Sequence, residues 1–542
     1  MVELSTLDWA VLAGFFILLA GVVVMSIRQK EEDTTDYFLA GRNASWLVIG
    51  ASIFASNIGS EHLVGLSGSG AQSGMALAHW ELQSWIILLL GWLFVPFYWS
   101  SKVYTMPEFL ERRFNSSSRT FLSVISLVSY VLTKVAVTVY AGGVAFKAIL
   151  GIESIWGIDF FWISALGLVI ITGIYTVLGG MKAIMWTSVL QTPILIIGSV
   201  VILVVGLDKV GGWSEVERLN EANMHLIRSA SDAEFPWPGI IFGSFIIGFW
   251  YWCTDQYIVQ RVLSAKGIKE ARRGTMFAGY LKLLPVFIFL VPGMIAYALN
   301  AKGIISYESA DQAFPTLVAE LLPSGIKGVV IGGLVAALMS SLASLFNSSA
   351  TLFTIDFYKK FKPESSEKHL LKVGRIATVV IVALGILWIP VMSLIADVLY
   401  EYLQSVQSLI APGIAAVFLL GLISRRVTPA AGFAGLVIGF ILGMFRLVLL
   451  PMKDTVASTP IGWVVTMNWL YYCILLFVIV TIAIIVISAF TQRKSDEELA
   501  GLTFKTLGKG TMREVIAGLD KWDYIHTFGI LAITAFIYIR FW

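Results

Sequence analysis

The chain is a succession of apolar segments about 20 residues long, separated mostly by short polar or basic stretches. A helix needs about 20 consecutive apolar residues to cross a hydrocarbon core about 30 Å thick, so this pattern predicts an all-α membrane protein. Windows of about 19 residues place about fourteen spans, near residues 8–27, 47–73, 80–101, 119–149, 159–178, 183–206, 238–262, 275–299, 325–357, 373–395, 397–422, 428–450, 464–490 and 522–541.

Two of these spans are interrupted by glycine and polar residues at mid-membrane depth. One interruption lies around Ala55-Ser-Asn-Ile-Gly-Ser-Glu-His62 and the other around Gly248-Phe-Trp-Tyr-Trp-Cys-Thr-Asp255. Paired discontinuous helices at matching positions of two halves are typical of transporters built from inverted repeats, with the binding site near the membrane midplane. A pair of glycine kinks is the simpler alternative.

Each interruption opens a stretch of five spans, which gives a predicted division of the chain. The parts are a first peripheral helix with an inner loop, a first repeat, an outer loop, a second repeat, and peripheral helices with an inner loop at 491–521. Their predicted bounds are 1–46, 47–206, 207–237, 238–422 and 423–542.

Composition excludes several classes of protein. Hydrophobic residues make up 57% and charged residues 13% of the chain, and the mean hydropathy is +0.83; a soluble chain could not bury so much apolar surface. Cys253 and Cys473 both lie in apolar segments, so neither a disulfide framework nor a cysteine metal cluster is expected. The net charge of +3 without a basic stripe argues against nucleic-acid binding. We find no Ser/His/Asp set or paired acid–base carboxylates that would indicate an enzyme.

Lysine and arginine set the predicted orientation. They concentrate in alternate loops, with the densest groups at 261–273, 359–375 and 493–521. Because basic residues are enriched in cytoplasmic loops, we expect those loops inside and both chain termini outside. The lipid bilayer of a plasma (inner) membrane is the expected location.

A few charged side chains lie within the apolar spans, among them Glu81, Asp255 and Lys282. Charges inside a bilayer are costly, and they are kept where they meet water, one another or a transported solute. Glu81 and Lys282 therefore indicate either a solute site or an ion pair that only neutralises both charges. For Asp255 we expect either a structural pair with Lys134 or Arg261, or a place on the cation pathway.

Several strings resemble the solute:sodium symporter family, and within it the sodium/glucose cotransporter group. They run in family order along the chain: Asp36-Tyr-Phe-Leu-Ala-Gly-Arg42, the string 55–62, Tyr104-Thr-Met-Pro-Glu-Phe109, Trp250-Tyr-Trp-Cys-Thr-Asp-Gln256 with Ile258-Val-Gln-Arg261, Gly279-Tyr-Leu-Lys-Leu283, and Ser340-Ser-Leu-Ala-Ser344 with Phe346-Asn-Ser-Ser349. The resemblance implies a LeuT-type core of five plus five inverted helices, alternating access, and Na⁺-coupled uptake of a sugar or polyol.

A sugar site needs polar groups around the hydroxylated edge and an aromatic platform beneath the ring. By resemblance the sugar ligands are His62, Glu81, Ser84, Tyr251, Trp252, Lys282 and Gln404. Tyr251 is also the implied inner gate, and the implied outer gates are Leu66, Trp80 and Tyr400. Each residue has a plainer alternative: a helix histidine, packing aromatics, a glutamine that satisfies a neighbouring helix, or a serine bonded to its own helix.

The implied Na⁺ ligands are neutral oxygens, which a hard cation accepts and from which it can leave again. They are the carbonyls of Ala55, Ile58 and Ala337 and the hydroxyls of Ser340 and Ser341. Without the resemblance, these serines are ordinary small packing residues.

Three positions depart from the family pattern. Ser188 stands where relatives with a second sodium site have an aspartate, and Ala343 stands where they have a hydroxyl. We therefore expect one Na⁺ per sugar. Gly248 replaces an amide side chain of the bacterial galactose carriers, which leaves the choice between glucose, galactose and other sugars open. A myo-inositol or polyol carrier, or a sugar sensor or channel of the same fold, is the alternative, and a carrier of an acidic solute is disfavoured by Glu81.

Overall fold

A computed structural model shows an almost entirely helical protein. It describes residues 4–28, 31–59, 61–392 and 399–542, with the backbone alone at 132–133, 148, 389, 391–392, 399–402, 509, 511–512 and 514. The longer helices are Thr6–Ile27, Trp46–Asn57, Ser67–Ser73, Val95–Ser101, Met106–Arg113, Ser116–Ser129, Ala136–Leu150, Phe160–Val210, Trp213–Leu219, Ser244–Cys253, Gln256–Leu263, Ile268–Pro285, Val291–Ala301, Ala313–Leu321, Ile326–Thr351, Glu367–Met392, Leu399–Ile423, Pro429–Leu449, Trp469–Phe490, Lys509–Ala517 and Lys521–Arg540.

Shorter elements lie between these helices, among them the 3₁₀ helices Ala40–Arg42, Gly74–Leu77, Glu221–Asn223, Ala310–Gln312 and Leu450–Met452. Short helices are Thr34–Leu39, Ala78–Glu81, Ser84–Leu89, Lys359–Phe361, Lys453–Val456 and Trp463–Thr466. Wider π-helical turns occupy Glu61–Leu66, Leu90–Phe94, Tyr130–Val135, Gly239–Gly243, Val286–Leu290 and Leu352–Tyr358. The strands Ser154–Ile155 and Ile158–Asp159 form a small antiparallel hairpin.

Ten helices in the described ranges are long and apolar enough to cross a membrane, and Trp46–Asn57 and Gly239–Cys253 are shorter apolar helices. The predicted count of fourteen spans stays a prediction. Helices counted by length and composition can contain two spans in one continuous helix, and a broken helix can be counted as shorter pieces. The helix Phe160–Val210 illustrates this, since it covers two predicted spans in 51 residues. Gly180 bends it with φ 48° and ψ −148°, a conformation that favours glycine.

Both predicted interruptions are confirmed. The first broken helix consists of Trp46–Asn57, Glu61–Leu66 and Ser67–Ser73, and Ile58 between its first two parts has extended backbone. The second broken helix consists of Gly239–Gly243, Ser244–Cys253 and Gln256–Leu263. Asp255 directly precedes the last part, Gln256–Leu263. Its side chain accepts a hydrogen bond from the backbone N–H of Tyr257 and so caps that part at its N-terminus.

Burial separates central from peripheral helices. In the apolar window of the helix that contains Ile326–Thr351, which we call the serine helix, 94% of residues are buried within the protein. The corresponding share is 22% in each of Thr6–Ile27, Trp469–Phe490 and Lys521–Arg540. Because an apolar helix face in a membrane protein can rest against lipid, these three helices lie at the periphery.

Candidate functional site

A polar cavity lies where the two broken helices face each other. The two breaks lie side by side, because the hydroxyl of Tyr257 donates a hydrogen bond to the carbonyl of Ser56, as in transporters of this architecture. The cavity is lined by Asn57, Glu61, His62, Trp80, Gln83, Lys134, Thr138, Ile247, Gly248, Tyr251, Trp252, Tyr257, Lys282, Leu345, Leu403, Gln404 and Gln407.

Lys282, which lines the cavity, forms an ion pair with Glu81, which is not itself a lining residue. Lys282 Nζ lies 2.6 Å from Glu81 Oε2, and both side chains are buried. His62 Nε2 lies 3.5 Å from the other carboxylate oxygen, Glu81 Oε1. The ion pair neutralises the charge of Glu81, while Lys282 and His62 still face the cavity. The two predicted roles, charge neutralisation and solute binding, are therefore compatible.

Asn57 connects this ion pair to the aromatic side of the cavity. Its Oδ1 accepts a hydrogen bond from Lys282 Nζ at 3.0 Å, and its Nδ2 donates to the hydroxyl of Tyr251 at 3.1 Å. Asn57 is the last residue of the first half-helix, so its side chain is held at the break itself. The amide thus links the two broken helices across the cavity.

The aromatic wall is formed by consecutive residues of the second broken helix. The rings of Tyr251 and Trp252 are nearly perpendicular, with centroids 4.9 Å apart. Lys134 Nζ lies 4.7 Å from the ring centroids of both Tyr251 and Tyr257, within the range of cation–π contacts. A positive charge and aromatic rings therefore meet in the wall of the cavity.

Asp255 has a structural partner. Its Oδ2 accepts a hydrogen bond from Lys134 Nζ at 2.7 Å, and its Oδ1 accepts one from the hydroxyl of Tyr130. Arg261, the other predicted partner, instead donates to the carbonyl of Tyr257. The structural pairing predicted for Asp255 is therefore present, with Lys134.

Oxygens also converge at the first break, beside the serine helix. Ser341 Oγ lies 3.0 Å from the carbonyl oxygen of Ser56 and 3.1 Å from that of Ile58. Ser340 Oγ lies 3.4 Å from Ser188 Oγ, and Ala55 and Ala337 are buried in the adjoining helices. The structure thus joins Ile58 and Ser341 directly among the five predicted ion ligands, and Ser56 adds a carbonyl that the sequence analysis did not name.

Of the other predicted site residues, some line the cavity and others do not. Trp80 lines it and stacks on Trp469 with ring centroids 5.7 Å apart. Gln404 also lines it, and its Oε1 has no hydrogen-bond partner among the described residues. Leu66 is fully buried but is not a lining residue. The gate predicted at Tyr400 falls on a side chain outside the described residues.

Ser84 does not belong to the cavity. Its hydroxyl lies 3.1 Å from that of Thr534 on the helix Lys521–Arg540, and it is not a lining residue. Residues three positions apart share a face on a continuous helix, but the helix is interrupted between Glu81 and Ser84, and Ser84 faces a peripheral helix instead.

Several polar lining residues were missed by the sequence analysis, namely Asn57, Glu61, Gln83, Lys134, Thr138 and Gln407. Each is a polar residue in or beside an apolar span, which is the signal that singled out Glu81 and Lys282. Asn57 and Glu61 even lie within the string 55–62.

Comparisons with known proteins place the chain among secondary transporters. The sequence profile described as "Sodium:solute symporter family" matches residues 37–439. "Sodium/glucose cotransporter 1" of Ovis aries is 37% identical over 539 residues, covering 91% of this chain and 80% of that protein. "Sodium/myo-inositol cotransporter" of Canis lupus familiaris is 36% identical over 567 residues, covering 96% of this chain and 78% of that protein.

A solved structure shares the fold. A Na⁺-coupled sialic acid symporter, in a substrate-bound outward-open state, aligns with a TM-score of 0.75 over 91% of this chain and 100% of that one. The sequences are 21% identical, so the likeness concerns the fold alone. It confirms the predicted class, an all-α membrane protein with a LeuT-type core and peripheral helices.

Proposed function

Because the chain belongs to the sodium:solute symporter family, we propose that it carries a neutral monosaccharide of the glucose or galactose type across the membrane together with Na⁺. It is a multi-pass membrane transporter with Na⁺ as the coupling ion, not an enzyme. The observation that carries the sugar assignment is the cavity between the broken helices, which combines polar groups at its edge with an aromatic wall.

The proposed sugar site uses six of the seven predicted ligands. His62, Lys282 and Gln404 face the cavity with hydrogen-bonding groups, and Glu81 acts from behind Lys282. Tyr251 and Trp252 provide the apolar platform, since a pyranose presents C–H groups on one face and hydroxyls around its edge. Ser84 is left out because its hydroxyl contacts Thr534.

The proposed sodium site lies at the first break. The carbonyls of Ala55, Ile58 and Ala337 and the hydroxyls of Ser340 and Ser341 supply five neutral oxygens. The contacts of Ser341 with the carbonyls of Ser56 and Ile58 support this placement. We propose a single Na⁺ per sugar, because Ser188 and Ala343 lack the carboxylate and the hydroxyl of a second site.

Coupling follows from the shared break. Na⁺ that binds oxygens at Ile58 and Ser341 orders the unwound segment, and the same segment leads four residues later to His62 in the cavity. A ligand shifts a conformational equilibrium only by its differential affinity for the two states, and the effect is reciprocal. Sodium therefore favours the conformation that presents His62 to the sugar, and sugar favours sodium binding.

The available energy suffices for concentrative uptake. One elementary charge that crosses about 100 mV contributes roughly 2.3 kcal/mol, and a tenfold sodium gradient adds about 1.4 kcal/mol. With one Na⁺ per sugar, about 3.7 kcal/mol supports accumulation of the sugar by at most several hundred-fold.

A myo-inositol or polyol carrier is the second candidate. It is favoured by the similarity to the Canis lupus familiaris protein, whose name gives myo-inositol as its solute. Inositol presents nearly the same ring of hydroxyls as a pyranose, so the cavity alone does not separate them. An acidic solute is disfavoured, because Glu61 places a carboxylate at the cavity and Glu81 places a second one behind Lys282.

Uptake into proteoliposomes tests the proposal. Purified protein, an imposed inward sodium gradient, and labelled glucose, galactose and myo-inositol are combined, with each unlabelled solute as competitor. We expect concentrative uptake of one hexose that collapses when choline replaces sodium. Preferred uptake of myo-inositol would favour the second candidate. Equilibration without accumulation would indicate a channel, and sugar binding without any uptake would indicate a sensor.

A further inference from the structure

Gln83 is a buried cavity residue to which neither the resemblance nor the comparisons give a role. Its Nε2 donates a hydrogen bond to the carbonyl of Ser244 at 3.0 Å, and its Oε1 accepts one from the indole N–H of Trp252 at 3.2 Å. A carbonyl only accepts and an indole N–H only donates, so these two partners fix which end of the amide is oxygen.

The amide keeps further hydrogen-bonding capacity. A glutamine side chain has two N–H donors and two acceptor lone pairs, and the two contacts use one of each. Within the described residues, one N–H and one lone pair therefore remain on this side chain, which lines the cavity. A hydroxyl group is both donor and acceptor, so a single sugar hydroxyl is the natural partner for this remaining pair.

Gly248 makes room for the amide. A Cβ atom at position 248 would lie 2.5 Å from Gln83 Oε1 and 2.7 Å from Gln83 Cδ. Real Cβ atoms essentially never approach so closely, so any larger residue at 248 displaces Gln83. Gly248 lies on the helix Ser244–Cys253 and Gln83 in the turn before Ser84–Leu89, so the two positions are coupled through this space.

We propose that Gln83 is a specificity-determining residue of the sugar site, whose amide bonds one sugar hydroxyl while Gly248 leaves the space for it. The inference rests on the proposed function and assigns a residue to it. Because the contact with Trp252 also orients the aromatic platform, Gln83 joins the polar and the apolar recognition of the same solute.

A sugar that lacks the bonded hydroxyl leaves the amide unsatisfied in a buried site. Loss of one such hydrogen bond changes affinity by about tenfold. The transporter should therefore discriminate by about this factor against one monodeoxy form of its hexose, and much less against the forms deoxygenated elsewhere.

The test measures the apparent KM for D-glucose, D-galactose and their monodeoxy derivatives in proteoliposomes. In Gln83→Met, which retains a side chain of similar length, we expect the KM for the parent hexose to rise about tenfold and the discrimination against one deoxy form to disappear. Gln83→Asn, which withdraws the amide by one methylene group, should show the same loss. An equal rise in KM for all sugars, with the discrimination between deoxy forms retained, would mean that Gln83 only positions Trp252. That result would overturn the inference.

Variants at glycine positions provide an independent test of the same inference. Gly248→Ala should abolish the same discrimination, because its Cβ displaces the Gln83 amide. Gly332→Ala is the matched control, since a Cβ there meets its nearest atoms at 3.9 and 4.0 Å. Unchanged discrimination in Gly248→Ala would contradict the inference while leaving the proposed function intact. Absence of sodium-dependent hexose uptake by the unaltered protein would overturn both.

Discussion

At the scale of single residues, four buried charges at and beside the cavity are stabilised in two pairs. Glu81 is paired with Lys282, and Asp255 with Lys134, in each case at hydrogen-bonding distance. Removal of one partner leaves an uncompensated charge away from water, which is more damaging than removal of both. The two pairs therefore explain how the cavity keeps its charges within the membrane.

Lys282→Met should destabilise the protein by about 3–5 kcal/mol, because it leaves the Glu81 carboxylate buried without its cation. The double variant Glu81→Gln with Lys282→Met should recover most of that stability without recovering uptake. Thermal unfolding in detergent and sugar uptake measure the two effects separately. A double variant as unstable as Lys282→Met alone would contradict the pairing argument.

The sequence predicts some of the cavity-lining residues but not others. His62, Lys282, Tyr251 and Trp252 were predicted and line the cavity. Asn57 was not predicted to do so, and Lys134 was predicted only as a partner of Asp255, although both line the cavity as well. Whether a polar residue in a span faces the cavity depends on the rotation of its helix, which a single polar residue does not determine. Ser84 illustrates the opposite error, since it faces Thr534.

At the scale of elements, the first broken helix and the serine helix share the proposed ion site. Ser341→Ala removes one hydroxyl oxygen there, so we expect the sodium concentration for half-maximal uptake to rise roughly tenfold. The apparent sugar affinity should fall as well, because the coupling is reciprocal. Uptake as a function of sodium concentration provides the measurement.

Ser349→Ala is the matched control for this prediction. Ser349 lies on the same helix and is fully buried, and its hydroxyl has no hydrogen-bond partner among the described residues. Sodium dependence should be unchanged in this variant. A sodium response of Ser341→Ala indistinguishable from that of Ser349→Ala would argue against the ion site.

Gly180 allows the helix Phe160–Val210 to bend between two spans. Gly180→Ala should lower thermal stability in detergent by about 1–3 kcal/mol, because its backbone conformation disfavours a side chain. Its Cβ would also lie 2.5 Å from the carbonyl oxygen of Tyr37. Gly167→Ala in the same helix is the control, since a Cβ there meets no atom of the described residues within 4 Å. Equal stability of the two variants would contradict the prediction.

At the scale of the whole molecule, the proposed stoichiometry sets the charge that moves. With one Na⁺ and a neutral sugar, each transport cycle moves one positive charge. Parallel measurement of sugar-induced current and labelled sugar uptake should therefore give a charge-to-sugar ratio near one. A ratio near two would show a second coupled ion and would remove the argument based on Ser188 and Ala343.

The orientation of the molecule is open to a direct measurement. Trp156 and Lys505 are exposed, and the two natural cysteines are buried. In right-side-out membranes, an impermeant thiol reagent should label Trp156→Cys but reach Lys505→Cys only after permeabilisation, if both chain termini lie outside. The reverse labelling pattern would overturn the predicted orientation.

The sequence by itself determined the class of fold and both helix breaks. Segment length and hydropathy act along the chain, and a bilayer requires each span to satisfy its own backbone, so these features are local. The pairing of Glu81 with Lys282 and of Asp255 with Lys134, the placement of Ser84 and the fit of Gln83 beside Gly248 were decided only by the tertiary structure. They depend on how distant helices are rotated and packed against one another, and hydropathy and spacing do not fix that rotation.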